Sequence, residues 1–401
     1  GISYTFKPGI YGILGANGAG KSTMINYISS LFKDKQKIFL ANTNPAVENL
    51  RRKVTAEHAE FVTITKFLSK DVSNDCDILC LDECSTISNR DMVRVLQRAQ
   101  CKLLVLVGDI YQIESILFGN WFNIAYKVMP KDSVAELTRP HRTTVQGLIE
   151  VWNKVREITE DRLEFITRNG LSSTLDESIF SRTEEDEIVL CLNYDGIYGI
   201  NNINKFLQSN NVNPSINWGV LSYKVGDPVL FNESNRFAPL VYNNLKGKIL
   251  QIEEEEDCIY FTIEVYTVLN ELDVIGFDLE LKESVTDETS VIRFKVGRGG
   301  DGNDDNDNVE NVVPFQVAYA ISIHKAQGLE YESVKVVITS EIEEMVSHNI
   351  FYTAITRAKS KLKIYWSPET EKRILENMKV QFNDKDYQLF KAKYKEALLK
   401  S

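Results

Sequence analysis

Residues 15–23 read GANGAGKST, and no other stretch limits the fold of this 401-residue chain so tightly. The run fits G-x-x-x-x-G-K-[ST] and lies between the β-rich segment IYGIL (10–14) and a helix-like segment. Gly15, Gly18 and Gly20 admit backbone geometries that a side chain would block. Successive N–H groups can then wrap a phosphate at a helix N-terminus. The loop residues Gly15, Ala16, Asn17, Gly18, Ala19, Gly20, Lys21, Ser22 and Thr23 are therefore assigned to a nucleotide, expected to be ATP. Lys21 should reach its β- and γ-phosphates, and Ser22 should bind Mg²⁺.

Such a loop belongs in an α/β sheet, and the flanking pattern agrees. Segments 37–41 (KIFLA), 60–64 (EFVTI), 77–81 (DILCL) and 102–107 (KLLVLV) are short β-rich runs, most of them separated by helix-like stretches. That alternation predicts a parallel sheet covered on both faces. A second set at 187–192, 316–323, 334–338 and 361–366 predicts a second α/β layer. Between them, residues 223–296 alternate strands with turns, the texture of a small antiparallel β-barrel. The barrel runs into the acidic, solvated loop DGNDDNDN at 301–308.

A nucleotide-hydrolysing site needs a second Mg²⁺ group at the end of a neighbouring strand. DILCLDE supplies one, with Asp82 to hold the metal and Glu83 to orient and deprotonate the attacking water. Cys76, Cys80 and Cys84 recur every four residues around this strand. Positions four apart on a strand lie about 13 Å from one another, too far to share one metal. They are expected to be core thiols in a reducing cytoplasm. No apolar run approaches 18 residues and the first residues lack a signal-peptide pattern, so a soluble chain is expected.

Net charge is −11, which argues against a nucleic-acid partner only on average. By count, residues 1–150 carry about +3 and 357–401 about +6, whereas 223–312 carry about −12. A protein that tracks a strand needs a local positive groove, not a basic mean.

Ordered blocks then identify a resemblance. ANTNPAVENL (41–50), LVGDIYQI (106–113), LTRPHR (137–142), AYAISIHKAQGLEYESVKVVI (318–338) and FYTAITRAKSKLKIYW (351–366) resemble, in order, the motifs of superfamily 1 helicases. SIHKAQG and VGDPVLFNESN followed by YNNLKGKI resemble the RecD and Dda-like branch. The resemblance implies two RecA-like P-loop domains with a small β-barrel inserted in the second. The boundaries expected are 1–150 for the first, 151–222 and 313–401 for the second, and 223–312 for the insert. The family's usual adenine-contacting Gln has no evident counterpart upstream of the loop. The loop itself looks more like that of an ABC ATPase, though no LSGGQ-like signature accompanies it.

The same resemblance implies roles. Arg142 and Arg357 would stabilise charge on the γ-phosphate, with Arg139 a rival for Arg142. Gln112 would sense nucleotide state, with Asp109 supporting it. Gln327, Gly328 and Glu330 would approach the nucleotide from the second domain. Thr43, Asn44, Ser322, His324 and Lys325 would contact DNA phosphates, while His324 has a core-packed alternative. Trp121 and Phe122 would either stack bases or pack the core.

The expected function is an ATP-dependent DNA helicase moving 5′ to 3′, acting on single-stranded or tailed duplex DNA in replication or repair, with the proteins of those processes as partners and no membrane. A DNA translocase without unwinding and a nucleotide-switched nucleic-acid-binding module remain as alternatives. The short stretch between Thr65 and Asp82 leaves no room for the pin-bearing insertion of some relatives.

Overall fold

The computed structural model describes residues 7–16, 18–69, 74–113, 119–138, 143–232, 236–238, 240–284, 286–298, 311–379 and 384–400. The chain forms two compact units. One comprises residues 1–171, 343–360 and 371–401, and the other 172–342 and 361–370.

The first unit runs β1 (Gly9–Gly15), α1 (Lys21–Leu31), β2 (Lys37–Ala41), α2 (Asn44–Lys53), β3 (Ala59–Thr63), α3 (Ile64–Leu68), β4 (Ile78–Leu81), α4 (Asn89–Arg98), β5 (Leu103–Gly108), α5 (Trp121–Val128), β6 (Val134–Leu137), α6 (Gln146–Arg156) and α7 (Arg162–Arg168). Its six strands lie in the order β3-β2-β4-β5-β1-β6, all parallel. β2, β4 and β5 are buried along their whole length, as continuous apolar strands covered on both faces must be. Alternate side chains serve different cores. Ile38 and Leu40 join one cluster with Leu79 and Leu81, while Phe39 and Ala41 join another with Ile78 and Cys80. Helix entries follow local chemistry: the hydroxyls of Thr43, Thr63 and Ser88 accept from the N–H groups of Ala46, Lys66 and Asp91.

The second unit contains β7 (Ser172–Ser173), β8 (Glu187–Cys191), α8 (Ile200–Ser209), the hairpin β9 (Ser215–Trp218) and β10 (Leu221–Lys224), β11 (Pro228–Phe231), β12 (Lys246–Glu254), β13 (Cys258–Val265), β14 (Glu280–Lys282), β15 (Ser290–Gly297), β16 (Phe315–Val317), β17 (Ala320–Ser322) and β18 (Tyr331–Val337). The chain continues through α9 (His348–Ile355), β19 (Ala358–Tyr365), α10 (Pro368–Asn377) and α11 (Asp384–Lys400). A five-stranded sheet has the order β17-β8-β18-β19-β7. β17 and β18 flank β8 in parallel.

The inserted segment is a six-stranded antiparallel sheet, β14-β15-β13-β12-β11-β16. It has its own aromatic core, in which Phe261 meets Phe315 edge-on at 4.9 Å and Tyr223 at 5.2 Å. Among the described residues the strand order is open, with β14 and β16 at opposite ends, so the pairing that would close a barrel is not shown. One expectation needs correction: 316–323, expected as one strand of the second α/β layer, is two. β16 pairs with β11 of the insert and β17 pairs with β8, the break falling at Ala318–Tyr319. A continuous apolar run does not show where a chain leaves one sheet for another. The acidic loop at 301–308 lies outside the described residues.

The units also divide the chain differently from the expected boundaries. Residues 151–171, with α9 and most of the C-terminal helices, cluster with the first sheet. Trp152 explains part of this. It is fully buried and its indole N–H donates to the carbonyl of Ile355 at 3.0 Å.

Candidate nucleotide and nucleic-acid sites

β1 ends at Gly15, and the backbone turns at once into α1. A side chain at Gly15 would stand 2.9 Å from the carbonyl oxygen of Leu137 on β6, so only glycine lets the two strand ends close up here. Gly18 and Gly20 have φ of 78° and 89°, the left-handed region that favours glycine. Gly20 is the N-cap of α1, so no side chain caps that helix, and its first turn holds no carboxylate. The positive end of the helix is left to an external anion. Lys21 bends back over the loop, its Nζ donating to the carbonyls of Gly15 at 2.7 Å and Ala16 at 3.0 Å. Ser22 is half-buried and Thr23 exposed. Asn17 lies outside the described residues.

β4 delivers the acidic pair. The Asp82 N–H is held by the carbonyl of Leu40 at 2.8 Å, and its carboxylate accepts from the Glu83 N–H at 2.9 Å. Glu83 has φ of 51°, a conformation that costs a non-glycine residue about 1 kcal/mol or more and that turns its carboxylate off the strand line. Burial raises the pKa of both acids. For Glu83 burial and then the neighbouring Asp82 push it up to about 7, opposed by Arg357, Lys21 and Lys53. For Asp82, Lys21 is the leading opposing charge. A carboxylate poised near neutrality is suited to taking a proton.

The next strand supplies a third group. Asp109, just beyond β5, is buried and accepts from the Tyr111 N–H at 3.1 Å and from the Gln112 amide at 3.2 Å. Burial raises its pKa, and Lys21 is again the first charge to oppose this. Lys21, Asp82, Glu83 and Asp109 thus share one electrostatic neighbourhood at the carboxyl ends of β1, β4 and β5, where parallel sheets bind ligands. Arg357 joins it from the end of α9. It is fully buried, with Nε donating to the carbonyl of Thr353 at 2.9 Å and Nη2 to the hydroxyl of Thr356 at 3.3 Å. Arg142 and its rival Arg139 lie outside the described residues.

Sequence reasoning missed the residues that hold this neighbourhood together. Asn349 donates to the Gln112 carbonyl at 2.9 Å, and the Thr353 hydroxyl accepts from the Ile113 N–H at 3.2 Å. The guanidinium of Arg156 lies 4.8 Å from the Tyr111 ring and pairs with Glu136. No local signal marks these residues, because their partners are as much as 240 positions away.

Nucleic-acid candidates fall on both units. Thr43 and Asn44 are exposed at the start of α2. The Thr43 oxygen accepts from Ala46, which leaves its O–H to donate outward. On the second unit Ser322 is buried, and its hydroxyl accepts from the Lys325 N–H at 3.2 Å. It therefore shapes the turn that leaves His324 exposed, which sets aside a core role for that histidine. The Lys325 ammonium reaches the Gln316 amide oxygen at 2.7 Å. Gln327, Gly328 and Glu330 follow, all half-buried. Phe122 is buried, and the half-buried Trp121 packs against the same cluster with its indole N–H donating to the carbonyl of Ile87 at 2.8 Å, which favours the core-packing alternative for this pair.

Comparison with known proteins finds similarity along most of the chain. An AAA domain profile matches residues 5–176, and a UvrD-like helicase C-terminal domain profile matches 317–365. An uncharacterised protein of Methanocaldococcus jannaschii is 24% identical across 88% of this chain and 36% of its own length. The RecBCD enzyme subunit RecD of Mycolicibacterium smegmatis is 22% identical across 76% of this chain and 52% of its own. The chain thus spans from about a third to about half of the length of these relatives. Among solved structures, Bacteroides Pif1 bound to ssDNA superimposes with a TM-score of 0.54 at 16% identity, covering 96% of this chain and 94% of that one. Pif1 helicase from Candida albicans gives 0.55 at 17% identity, covering 95% of each. With the two profiles in their order, the chain carries an AAA domain followed by a UvrD-like helicase C-terminal domain, is similar to RecD of the superfamily 1 helicases, and shares its fold with Pif1.

Proposed function

We propose that this chain is an ATP-dependent DNA helicase that steps 5′ to 3′ along single-stranded DNA. The observation that carries the reading is the convergence of Lys21, Asp82, Glu83 and Arg357 on one electrostatic neighbourhood beside an uncapped helix N-terminus. Such a set serves hydrolysis. Glu83 takes a proton from the water whose oxygen attacks the γ-phosphorus, and the bond to the ADP oxygen breaks. Lys21 and Arg357 stabilise the charge spread over the transferred group. Lys21 must first exchange its two loop carbonyls for phosphate oxygens, so binding costs it two hydrogen bonds that the nucleotide replaces. The hydroxyl of Ser22 and the carboxylate of Asp82 form a hard oxygen donor set of the kind Mg²⁺ shares with water and phosphate. When bound, Mg²⁺ neutralises β- and γ-phosphate charge. Arg142 as a second γ-phosphate cation, and Gln327, Gly328 and Glu330 as nucleotide contacts, rest on the resemblance.

Thr43, Asn44, His324 and Lys325 are proposed to contact DNA phosphates, with Ser322 shaping the turn beneath the last two. The single aromatic core around which the inserted sheet packs supports a barrel-like domain. Bacteroides Pif1 was solved with ssDNA, and that likeness of fold supports a single-stranded DNA partner here. A translocase without unwinding is favoured by one feature: α3 ends at Leu68 and β4 begins at Ile78, which leaves no strand-separating insertion between them. Displacement of tailed duplexes, measured beside ATPase activity with and without single strands, tests the proposal. ATPase activity indifferent to DNA would refute the motor reading. Stimulated ATPase without displacement would leave the translocase.

A further inference from the structure

The root of the insert holds a buried polar knot that the hydrolytic site does not use. Asp227 lies between β10 and β11 and is wholly inaccessible to solvent. Its two oxygens take four donors from four places in the fold. Oδ2 accepts from the Gln208 amide of α8 at 2.6 Å and from the Lys224 N–H of β10 at 2.9 Å. Oδ1 accepts from the Asn211 amide at 2.9 Å and from the Tyr319 hydroxyl at 2.8 Å. Four donors on two oxygens leave no place for an amide in that position.

Tyr319 stands where one sheet becomes the other, between β16 of the insert and β17. Its hydroxyl is tied to the insert's root, while its carbonyl accepts from the Val189 N–H of β8 at 3.0 Å. The guanidinium of Arg182 lies 5.1 Å from its ring. One residue on, the Asn204 side chain of α8 grips Ala320 twice, donating to its carbonyl at 2.8 Å and accepting from its N–H at 2.9 Å. Ala320 begins the strand that leads into Ser322, His324 and Lys325.

We propose that Asp227, Tyr319 and Asn204 are positioning residues that lock the insert's root to β17 and so hold the His324–Lys325 turn in its strand-binding orientation. The inference rests on the nucleic-acid role of that turn proposed above. Asp227 and Tyr319 act through backbone geometry and touch neither nucleotide nor DNA. Loosening the knot should therefore weaken binding of single strands while leaving unstimulated ATP turnover in place.

The test uses the whole chain and a fluorescein-labelled oligothymidine, read by anisotropy without nucleotide. Tyr319→Phe keeps the ring and removes one hydrogen bond to a buried carboxylate. It should raise the dissociation constant about fivefold or more, with unstimulated turnover within twofold of wild type. Asp227→Asn, which sets an amide N–H against a donor, should have a larger effect. If that variant does not fold, Tyr319→Phe decides. Two further readouts separate positioning from general destabilisation. Amide exchange in peptides spanning 320–328 should quicken in Tyr319→Phe without DNA present. The binding loss should also be non-additive with His324→Ala, since both act on one turn. Wild-type affinity in Tyr319→Phe, unaltered exchange over 320–328, or additive losses would each overturn the proposal. If the wild-type chain itself fails to bind the oligomer, the nucleic-acid reading falls and this inference with it. If the wild type binds and Tyr319→Phe matches it, only this inference falls.

Discussion

Glu83→Gln should make the nucleotide-free protein more stable above neutral pH while disabling it. In the folded chain, burial and the adjacent Asp82 push the Glu83 pKa from 4.5 up to about 7. The folded state therefore holds a proton that the unfolded chain releases at lower pH. Stability from this group is fully present below about pH 4.5 and is lost as pH rises through about 7. Each pKa unit is worth about 1.36 kcal/mol, so ionising Glu83 at pH 8 costs the folded state about 3 kcal/mol. Glutamine is neutral at every pH, keeps an acceptor oxygen and meets the same backbone requirement at φ 51°. Urea unfolding of both proteins, followed by tryptophan fluorescence between pH 4 and 8.5, should show Glu83→Gln gaining on wild type as pH rises, by up to about 3 kcal/mol, with the gap closing below about pH 4.5. In the same variant ATP should still bind, while turnover falls by about 10² or more, the usual contribution of a positioned base. A stability gap that stays constant with pH would refute the raised pKa. Near-wild-type turnover would remove Glu83 from the mechanism.

Three further outcomes are expected. ATP turnover should be low alone, rise on adding single strands and lose that stimulation as salt weakens phosphate contacts, measured across a salt series with oligothymidine. A duplex with a 5′ single-stranded tail should be opened and one with a 3′ tail left intact; opening of the 3′-tailed duplex alone would overturn the polarity. Gly15→Ala should abolish nucleotide binding, read by a fluorescent ATP analogue, because its methyl group would stand 2.9 Å from the Leu137 carbonyl and force the loop away from β6.

Much of the first sheet was legible because its signals are local. The five β-rich runs of residues 10–107 became β1 to β5 within a residue or two; for β2, β4 and β5 the reason is that a strand covered on both faces must be apolar throughout. β6 (Val134–Leu137), partly exposed and polar in the middle, carries no such signal. Glu83 was legible as the carboxylate after DILCLD, whereas its left-handed backbone and its pKa near neutrality were not. Those depend on what buries it and on Arg357, which is 274 positions further along.

Local chemistry alone, then, determined the phosphate loop, the acidic strand end and the alternation that makes the sheets. Glycine freedom, strand period and helix capping act over a few residues and are written in adjacent positions. Tertiary structure alone decided that α9 and Arg357 cluster with the first sheet, that Asn349 and Thr353 clamp the Gln112 turn, and that 316–323 breaks in two at Tyr319. For α9, the Gln112 turn and Tyr319, a polar group is satisfied by a partner far away in the chain. The partner that closes such a hydrogen bond is set by how whole elements pack, and no window of neighbouring residues contains it.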